Sequence, residues 1–127
     1  MIPDGWSEHR RPGDREVLGY LRPEGDGFVA VDRLGRAVTG VVDWVEAEEE
    51  LEQRGLGWLA DLWQLTDPDG AVVRVRLVEV GPERVVVKSD DFGAVDVQVR
   101  LYELPFPAPA ALQPFAGDPG RIDGLTP

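Results

Sequence analysis

Alternation of apolar and polar residues is the strongest pattern in the second half of the chain. It runs through residues 71–80, 84–89 and 94–104, and short turns containing Gly, Pro or Asp separate these segments. A period of two residues indicates β-strands that bury one face, and the short turns make the strands antiparallel. The positions predicted to face the core are Val73, Val75, Leu77, Val85, Val87, Val95, Val97, Val99 and Leu101.

A second hairpin is predicted nearer the N-terminus, in residues 16–35. Its two apolar segments flank the sequence PEGDG, where Gly25 and Gly27 can adopt the positive φ angles that tight turns require. A shorter strand is expected to follow over residues 37–42.

A helix is predicted over residues 44–54, because both of its ends carry recognisable signals. Asp43 is a favourable N-cap residue, and Glu46 stands three residues later, as in a capping box. Gly55 occupies the position at which a left-handed residue commonly ends a helix.

One stripe of this helix is apolar, and the rest of it is strongly acidic. At about 100° per residue, Trp44, Ala47 and Leu51 fall on the same stripe and are expected to pack on the sheet. Glu50 is placed to form an ion pair with Arg54, four residues later. Beside and opposite the stripe lie Glu46, Glu48, Glu49, Glu50, Glu52 and Gln53.

Residues 56–65 permit two interpretations. Helical spacing connects Trp58 with Leu62, whereas strand spacing connects Trp63 with Leu65. We predict a strand over the second half of the segment, because it leads into DPDG, a strong turn sequence.

These elements predict an α+β fold, in which one amphipathic helix packs on a curved antiparallel sheet of five to seven strands. The sheet is expected to be open or rolled toward a small open barrel. Residues 1–14 are interpreted as an N-terminal arm and residues 15–104 as a single domain. Residues 105–127 contain six prolines and are interpreted as an extended Pro-rich tail, with Phe106 and Phe115 as its anchors.

Composition limits the classes of function. The 127-residue chain carries a net charge of −11, which opposes phosphate backbones and argues against direct nucleic-acid binding. The chain has no cysteine, which excludes thiol catalysis and thiolate metal sites and is consistent with a reducing cytoplasm. No apolar run resembles a signal peptide or a membrane span. Twelve arginines against one lysine suggest a bacterium with a GC-rich genome.

No catalytic, metal-binding or cofactor-binding constellation is recognised in the sequence. His9 is the single histidine, and it lies in the predicted arm, where a fixed catalytic geometry is not expected. The DFG sequence at residues 91–93 lacks the other kinase motifs, and DPDG at residues 67–70 lacks the remaining ligands of a calcium loop. Both are interpreted as turns. We therefore expect no cofactor and no metal, and we favour a protein that is not an enzyme.

Two groups of residues are candidates for binding. Trp44, Trp58 and Trp63 could line an aromatic pocket, although tryptophans of a small domain more often form its core. The second group projects from the outer face of the predicted sheet and makes a basic stripe on an acidic protein. It comprises Arg74, Arg76, Lys88 and Arg100.

The leading hypothesis from the sequence is a non-enzymatic protein-interaction or adaptor domain of the bacterial cytoplasm. Its partner would be another protein, or the acidic helix of a second copy, bound through the basic face. The alternative is a small-ligand-binding or enzymatic domain that uses the aromatic pocket. A third hypothesis is an acidic mimic of nucleic acid, for which the predicted helix is short, at roughly 16 Å.

Overall fold

The structure is a computed structural model that describes residues 2–90 and 98–116. It confirms the α+β class, with two antiparallel sheets and one α-helix, and within the described residues neither sheet closes into a barrel. The strands are β1 Ser7–Arg10, β2 Val17–Glu24, β3 Gly27–Val31, β4 Leu62–Thr66, β5 Val72–Val80, β6 Val85–Ser89, β7 Leu101–Leu104 and β8 Leu112–Pro114. The helix α1 is Trp44–Arg54, and a 3₁₀ helix, Gly57–Ala60, follows it.

The first sheet has the strand order β1-β2-β3 and contains the predicted N-terminal hairpin. Glu24 pairs with Gly27, so a two-residue turn at Gly25 and Asp26 joins β2 to β3, and Gly25 has a φ of 58°. β1 lies within residues 1–14, the segment predicted as an arm, and pairs antiparallel with β2.

Both faces of the first sheet are covered. On one face, α1 contributes Ala47 and Leu51 to a buried cluster that also holds Leu18, Leu21 and Ala30. On the other face, Tyr20, Val29 and Val31 are buried beneath Ile2, Trp6, Val17 and Phe106. The covering of the second face depends on residues from both ends of the chain, which local sequence patterns do not reveal.

The two predicted helix signals are confirmed. The Asp43 side chain accepts a hydrogen bond from the Glu46 N–H at 2.8 Å, and this satisfies one of the free donors of the first turn. At the other end, Gly55 has a φ of 63°, and its N–H donates to the Leu51 carbonyl at 3.0 Å. α1 therefore spans residues 44–54, as the sequence predicted.

Trp44 lies at the margin of the apolar stripe instead of inside the core. Its side chain is 39% exposed, and its ring packs edge-on against Phe28 at 4.9 Å between centroids. The buried part of the stripe is formed by Ala47 and Leu51 alone.

The strand expected over residues 37–42 is reduced to two isolated bridges, Val31 with Ala37 and Phe28 with Val42. The reason is that a side-chain hydroxyl replaces a backbone carbonyl as hydrogen-bond acceptor. The Ala30 N–H donates to the Thr39 hydroxyl at 2.9 Å, so the backbone ladder is interrupted between the two bridges.

The second sheet has the order β7-β6-β5-β4-β8. The ambiguous segment 56–65 divides into two elements, because residues 57–60 form the 3₁₀ helix and β4 begins at residue 62. The inner face of the sheet carries a buried cluster that includes the predicted inward residues Val75, Val85 and Val87, while Val73 and Leu77 pack against it partly buried. Its members are Leu34, Trp63, Leu65, Val75, Val85, Val87 and Leu112.

The predicted alternation of β7 has the wrong phase. Leu101 and Val99 are 66% and 59% exposed, whereas Tyr102 and Leu104 pack on the core. The pairing explains this difference, because Tyr102 and Leu104 lie opposite the inward-facing Val87 and Val85. Val95, Val97 and the DFG sequence lie outside the described residues.

Residues 105–116 contact both sheets. Phe106 packs edge-on against Tyr20 at 5.8 Å and against Trp6 at 6.3 Å, next to the first sheet. Residues 112–114 form β8, an edge strand that pairs with β4. Pro114 is tolerated there because an edge strand leaves one side of its backbone unpaired.

A turn at residues 32–36 joins the two sheets. It follows β3 of the first sheet and inserts Leu34, which is fully buried, into the core of the second sheet. Asp32 is 4% exposed, and one of its carboxylate oxygens accepts hydrogen bonds from the backbone N–H groups of Leu34 and Arg36. Gly35 completes the turn with a φ of 88°.

The same turn recurs at residues 67–71, between β4 and β5. The Asp67 carboxylate accepts from the N–H groups of Asp69 and Ala71, both at 2.9 Å, and Gly70 has a φ of 89°. Among the described residues, this D-x-x-G turn therefore occurs twice, once buried between the sheets and once at the surface.

We predict that Asp32→Ala lowers the free energy of unfolding by about 2–4 kcal/mol, because it leaves two backbone N–H groups without acceptors in a dry environment. Asp32→Asn retains an acceptor oxygen and should change stability by less than about 1 kcal/mol. Asp67→Ala is the matched control, and it should cost less than about 1 kcal/mol because water can replace the lost acceptor. Urea unfolding measures all three. Equal losses for Asp32→Ala and Asp67→Ala would contradict this assignment.

The ionisation of Asp32 should also give stability a pH dependence. Burial raises the pKa of Asp32 above its ordinary value of 3.8, against the opposing effects of its hydrogen bonds and of Arg54. The folded protein then holds this proton more tightly than the unfolded chain, so its contribution to stability is lost as pH rises through the raised pKa. We predict that Asp32→Asn gains stability relative to the wild type as pH rises above 3.8 and through the raised pKa of Asp32. Urea unfolding of both proteins at several pH values measures this gain. A difference in stability that stays constant across the pH series would contradict the prediction.

Candidate functional site

Three of the four predicted basic residues share the outer face of the second sheet. Arg76 on β5 is the direct cross-strand neighbour of Lys88 on β6, and Arg74 lies two residues before Arg76, on the same face. Arg100 is not brought together with them. It lies opposite Ser89, one position beyond the pair of Lys88 and Leu101, so alternation assigns it to the other face.

A row of four side chains crosses this outer face from β4 to β7. Leu62 pairs with Arg76, Arg76 with Lys88, and Lys88 with Leu101. We call these four residues the outer row. At about 4.8 Å between strands, the row spans roughly 14 Å, with two cations in the middle and an apolar residue at each end.

Both predicted arginines of this face, Arg74 and Arg76, make local contacts. Arg76 Nε donates to the Asp90 carboxylate at 2.8 Å, and Arg76 Nη1 donates to the Ala60 carbonyl at 2.8 Å. Arg74 Nε donates to the Asp90 carbonyl at 2.9 Å. Lys88 is exposed and forms no ion pair with any residue that the structure describes. The lysine is therefore the cation of the outer row that is most available to a partner.

Further along the same face, positive charge is neutralised locally. Arg84 contacts the carboxylates of Glu79 at 2.8 Å and Glu103 at 2.6 Å. The hydrogen bonds that Arg84 donates to these carboxylates raise the pKa of Arg84, and the contact with Arg84 lowers the pKa of Glu79. Arg76 is likewise paired with Asp90, so the available positive charge of the outer row is that of Lys88.

The solvent-facing side of α1 has the opposite character. Glu46, Glu49 and Glu50 are exposed around Val45, which is 59% exposed. Over residues 2–90 and 98–116, none of these three glutamates forms an ion pair. The helix thus presents carboxylates and one apolar side chain to solvent.

The structure brings together two of the three predicted pocket tryptophans. The rings of Trp58 and Trp63 lie 6.1 Å apart at an angle of 66°, whereas Trp44 packs on Phe28 instead. The two rings line a cleft of about 430 Å³, which is within the usual range for small-ligand sites. The other lining residues are Arg54, Asp61, Leu62, Pro114 and Phe115.

Neither indole N–H is available in this cleft. Trp58 Nε1 donates to the Gly55 carbonyl at 3.1 Å. Trp63 Nε1 is fully buried and has no hydrogen-bond partner among the described residues. Polar recognition in the cleft therefore depends on Arg54 and Asp61.

Arg54 does not form the predicted ion pair with Glu50. Its guanidinium lies 4.8 Å above the centre of the Trp58 ring and 3.7 Å from the Asp32 carboxylate. Stacking on the ring and the charge of a buried carboxylate hold the cation beside the cleft. Sequence spacing did not reveal this contact, because Asp32 and Trp58 belong to different elements.

His9 is fixed in place, contrary to its interpretation as part of a flexible arm. It lies on β1, and its side chain is only 12% exposed. Its Nε2 is 2.8 Å from Glu52, and its Nδ1 is 3.3 Å from Glu48. The two glutamates beside the apolar stripe of α1 therefore meet at one histidine, and their spacing of four residues was the only signal in the sequence.

The described residues offer neither a metal site nor a membrane span. Among them, no group of three or more His, Cys, Asp or Glu side chains could hold a metal ion. No helix in these ranges is long and apolar enough to cross a membrane. Comparison with protein-family models, curated proteins and solved structures finds no match to this chain.

We predict that His9→Ala lowers the free energy of unfolding by about 1–2 kcal/mol, because it leaves Glu48 and Glu52 adjacent without a hydrogen-bonding partner between them. Adding Glu52→Gln should restore part of this loss by removing the repulsion. Arg22→Ala is the control, since it removes a cation from a surface pair with Glu24 and should cost at most about 0.5 kcal/mol. Thermal and urea unfolding test the set. If adding Glu52→Gln to His9→Ala lowers stability further, repulsion between Glu48 and Glu52 is not the cause of the loss.

Proposed function

We propose that this protein is a non-enzymatic protein-interaction domain that associates with copies of itself. In this proposal, the outer face of the second sheet receives α1 of a second copy. The observation that carries the proposal is the outer row, in which Arg76 and Lys88 stand between Leu62 and Leu101, and of which Lys88 and Leu101 are exposed. The composition supports the cytoplasm of a GC-rich bacterium as the setting.

The two surfaces are complementary in charge. The outer face offers the ammonium group of Lys88, and α1 offers Glu46, Glu49 and Glu50. On each side these charges have no ion-pair partner among the described residues, so contact between two copies would supply partners that the single chain lacks. Complementary potentials of this kind favour one docking orientation and accelerate association.

The surfaces also match in their apolar content. Leu101 is 66% exposed, and Val72, on the same face, is 59% exposed. α1 contributes Val45, with Trp44 at the margin of the helix. A helix packed on a sheet face is one of the stable layer arrangements of proteins, and it would remove these side chains from water. Contact between two copies would therefore bury the exposed apolar side chains that lie beside the charges on both surfaces.

A second copy is favoured over other acidic partners because its matching surface is already present on the molecule. Contact between the helix of one copy and the sheet of the next is heterologous, so each bound copy keeps one free helix and one free sheet face. Such contacts produce closed rings or open chains. The expected assembly therefore grows with protein concentration unless a ring closes.

We predict that the purified wild-type protein forms oligomers between about 1 µM and about 1 mM, measured by sedimentation velocity and light scattering. Lys88→Glu should disable the sheet face and Glu49→Lys the helix, and each should weaken association at least about tenfold. A mixture of the two variants should regain association, because the intact helix of Lys88→Glu fits the intact sheet of Glu49→Lys and the two reversed charges again attract each other.

Matched controls separate this contact from net charge. Arg22→Glu makes the same charge change as Lys88→Glu on the first sheet, and Asp69→Lys makes the same change as Glu49→Lys in an exposed turn; both should associate like the wild type. Raising the salt concentration should weaken the wild-type assembly, since screening shortens the range of the charges. A wild-type protein that stays monomeric up to about 1 mM, or a mixture of the two variants that does not regain association, would overturn the proposal.

A further inference from the structure

We propose that the cleft at the start of β4 binds a small aromatic zwitterion, of the class of the aromatic amino acids. The inference does not rest on the self-association contact, although Leu62 borders both sites. It follows from the positions of Arg54, Asp61 and the aromatic rings, because Arg54 and Asp61 are the charged side chains among the described residues that line the cleft.

The wall of the cleft favours a flat apolar body. Trp58 and Trp63 meet edge to face, and Phe115 and Pro114 lie on the side of β8. Trp63 is 6% exposed and forms the floor. Aromatic rings prefer edge-to-face or offset contacts with one another, so a ligand ring can add to this group without displacing it.

Arg54 is suited to a ligand carboxylate. Its guanidinium is positioned by Trp58 and by Asp32 at 3.7 Å, a distance too long for a hydrogen bond. Within the described ranges its side chain makes no hydrogen bond at all, so its N–H groups remain available. A guanidinium that is held in place and has free N–H donors is preorganised for a bidentate contact with a carboxylate.

Asp61 supplies the complementary charge. Its backbone N–H closes the 3₁₀ helix by donating to the Trp58 carbonyl at 3.1 Å, so the residue has a fixed position at the rim. Its carboxylate is exposed and has no partner among the residues that the structure describes. A cation-binding and an anion-binding side chain on one aromatic cleft together select a ligand with both charges.

The test uses three probes that differ by one charged group. L-phenylalanine carries both charges, 3-phenylpropionate lacks the ammonium group, and phenethylamine lacks the carboxylate. Titration calorimetry of the full chain should give a Kd for phenylalanine between about 10 µM and about 5 mM, as expected for a ligand of this size. Both truncated probes should bind at least about tenfold more weakly. The tryptophan fluorescence should change on binding, and Trp58→Phe should reduce that change, leaving the part that comes from Trp63.

Variants assign the two charges. Arg54→Gln should weaken phenylalanine binding at least about tenfold while leaving the weak binding of phenethylamine unchanged, and Asp61→Asn should have the reverse selectivity. Arg22→Gln, which removes a distant arginine, should bind like the wild type. Thermal unfolding confirms that each variant is folded. No saturable binding of phenylalanine up to about 10 mM, or equal binding of all three probes, would overturn the proposal.

Discussion

The buried turn at residues 32–36 is the contact on which the arrangement of the two sheets depends. Each sheet has its own apolar cluster, and the turn connects them by inserting Leu34 into the second core. The Leu34 carbonyl accepts from the Ala108 N–H at 2.8 Å, and the Arg36 guanidinium donates to the carbonyls of Pro109 and Leu112. A side chain at Gly35 would approach Pro107 to 2.6 Å, so the C-terminal segment packs directly on the turn. Few residues thus determine how helix, sheets and C-terminal segment meet.

The same turn determines the electrostatics of the cleft. Asp32 is buried, and it directs one carboxylate oxygen to the backbone and the other toward Arg54. A buried carboxylate needs such partners, because its desolvation is costly. Arg54 is one of these partners, so the charge of Asp32 holds this last cation of α1 beside Trp58. The position of Arg54 in the cleft therefore depends on its interaction with the buried Asp32 carboxylate of the turn.

Short-range features of this fold could be predicted from the sequence, whereas contacts between distant segments could not. The caps of α1 and the PEGDG hairpin depend on residues within a few positions of one another, so Asp43 and Gly25 identify them directly. Contacts between residues far apart in the sequence were not predicted. Arg54 contacts Asp32 and not its helical neighbour Glu50, and the inward phase of β7 follows from its pairing with β6. Likewise, nothing in the sequence around Phe106 indicates that its ring packs against Tyr20. Of the predicted sites, the row of Arg76 and Lys88 follows from strand alternation, while the grouping of the tryptophans required the tertiary fold.

α1 links the two proposed sites, because its exposed side belongs to one and its last residue to the other. Val45 and Glu49 lie on the side opposite the sheet, and Arg54 ends the helix at the cleft. Leu62 is also shared, since it belongs to the outer row and lines the cleft. The two binding events need not be coupled for this reason alone, because coupling requires that one ligand favour a state that the other also favours. Lys88 lies outside the cleft, and Asp61 lies outside the outer row. Substitutions at these two residues therefore separate the two sites, even though the helix and Leu62 serve both.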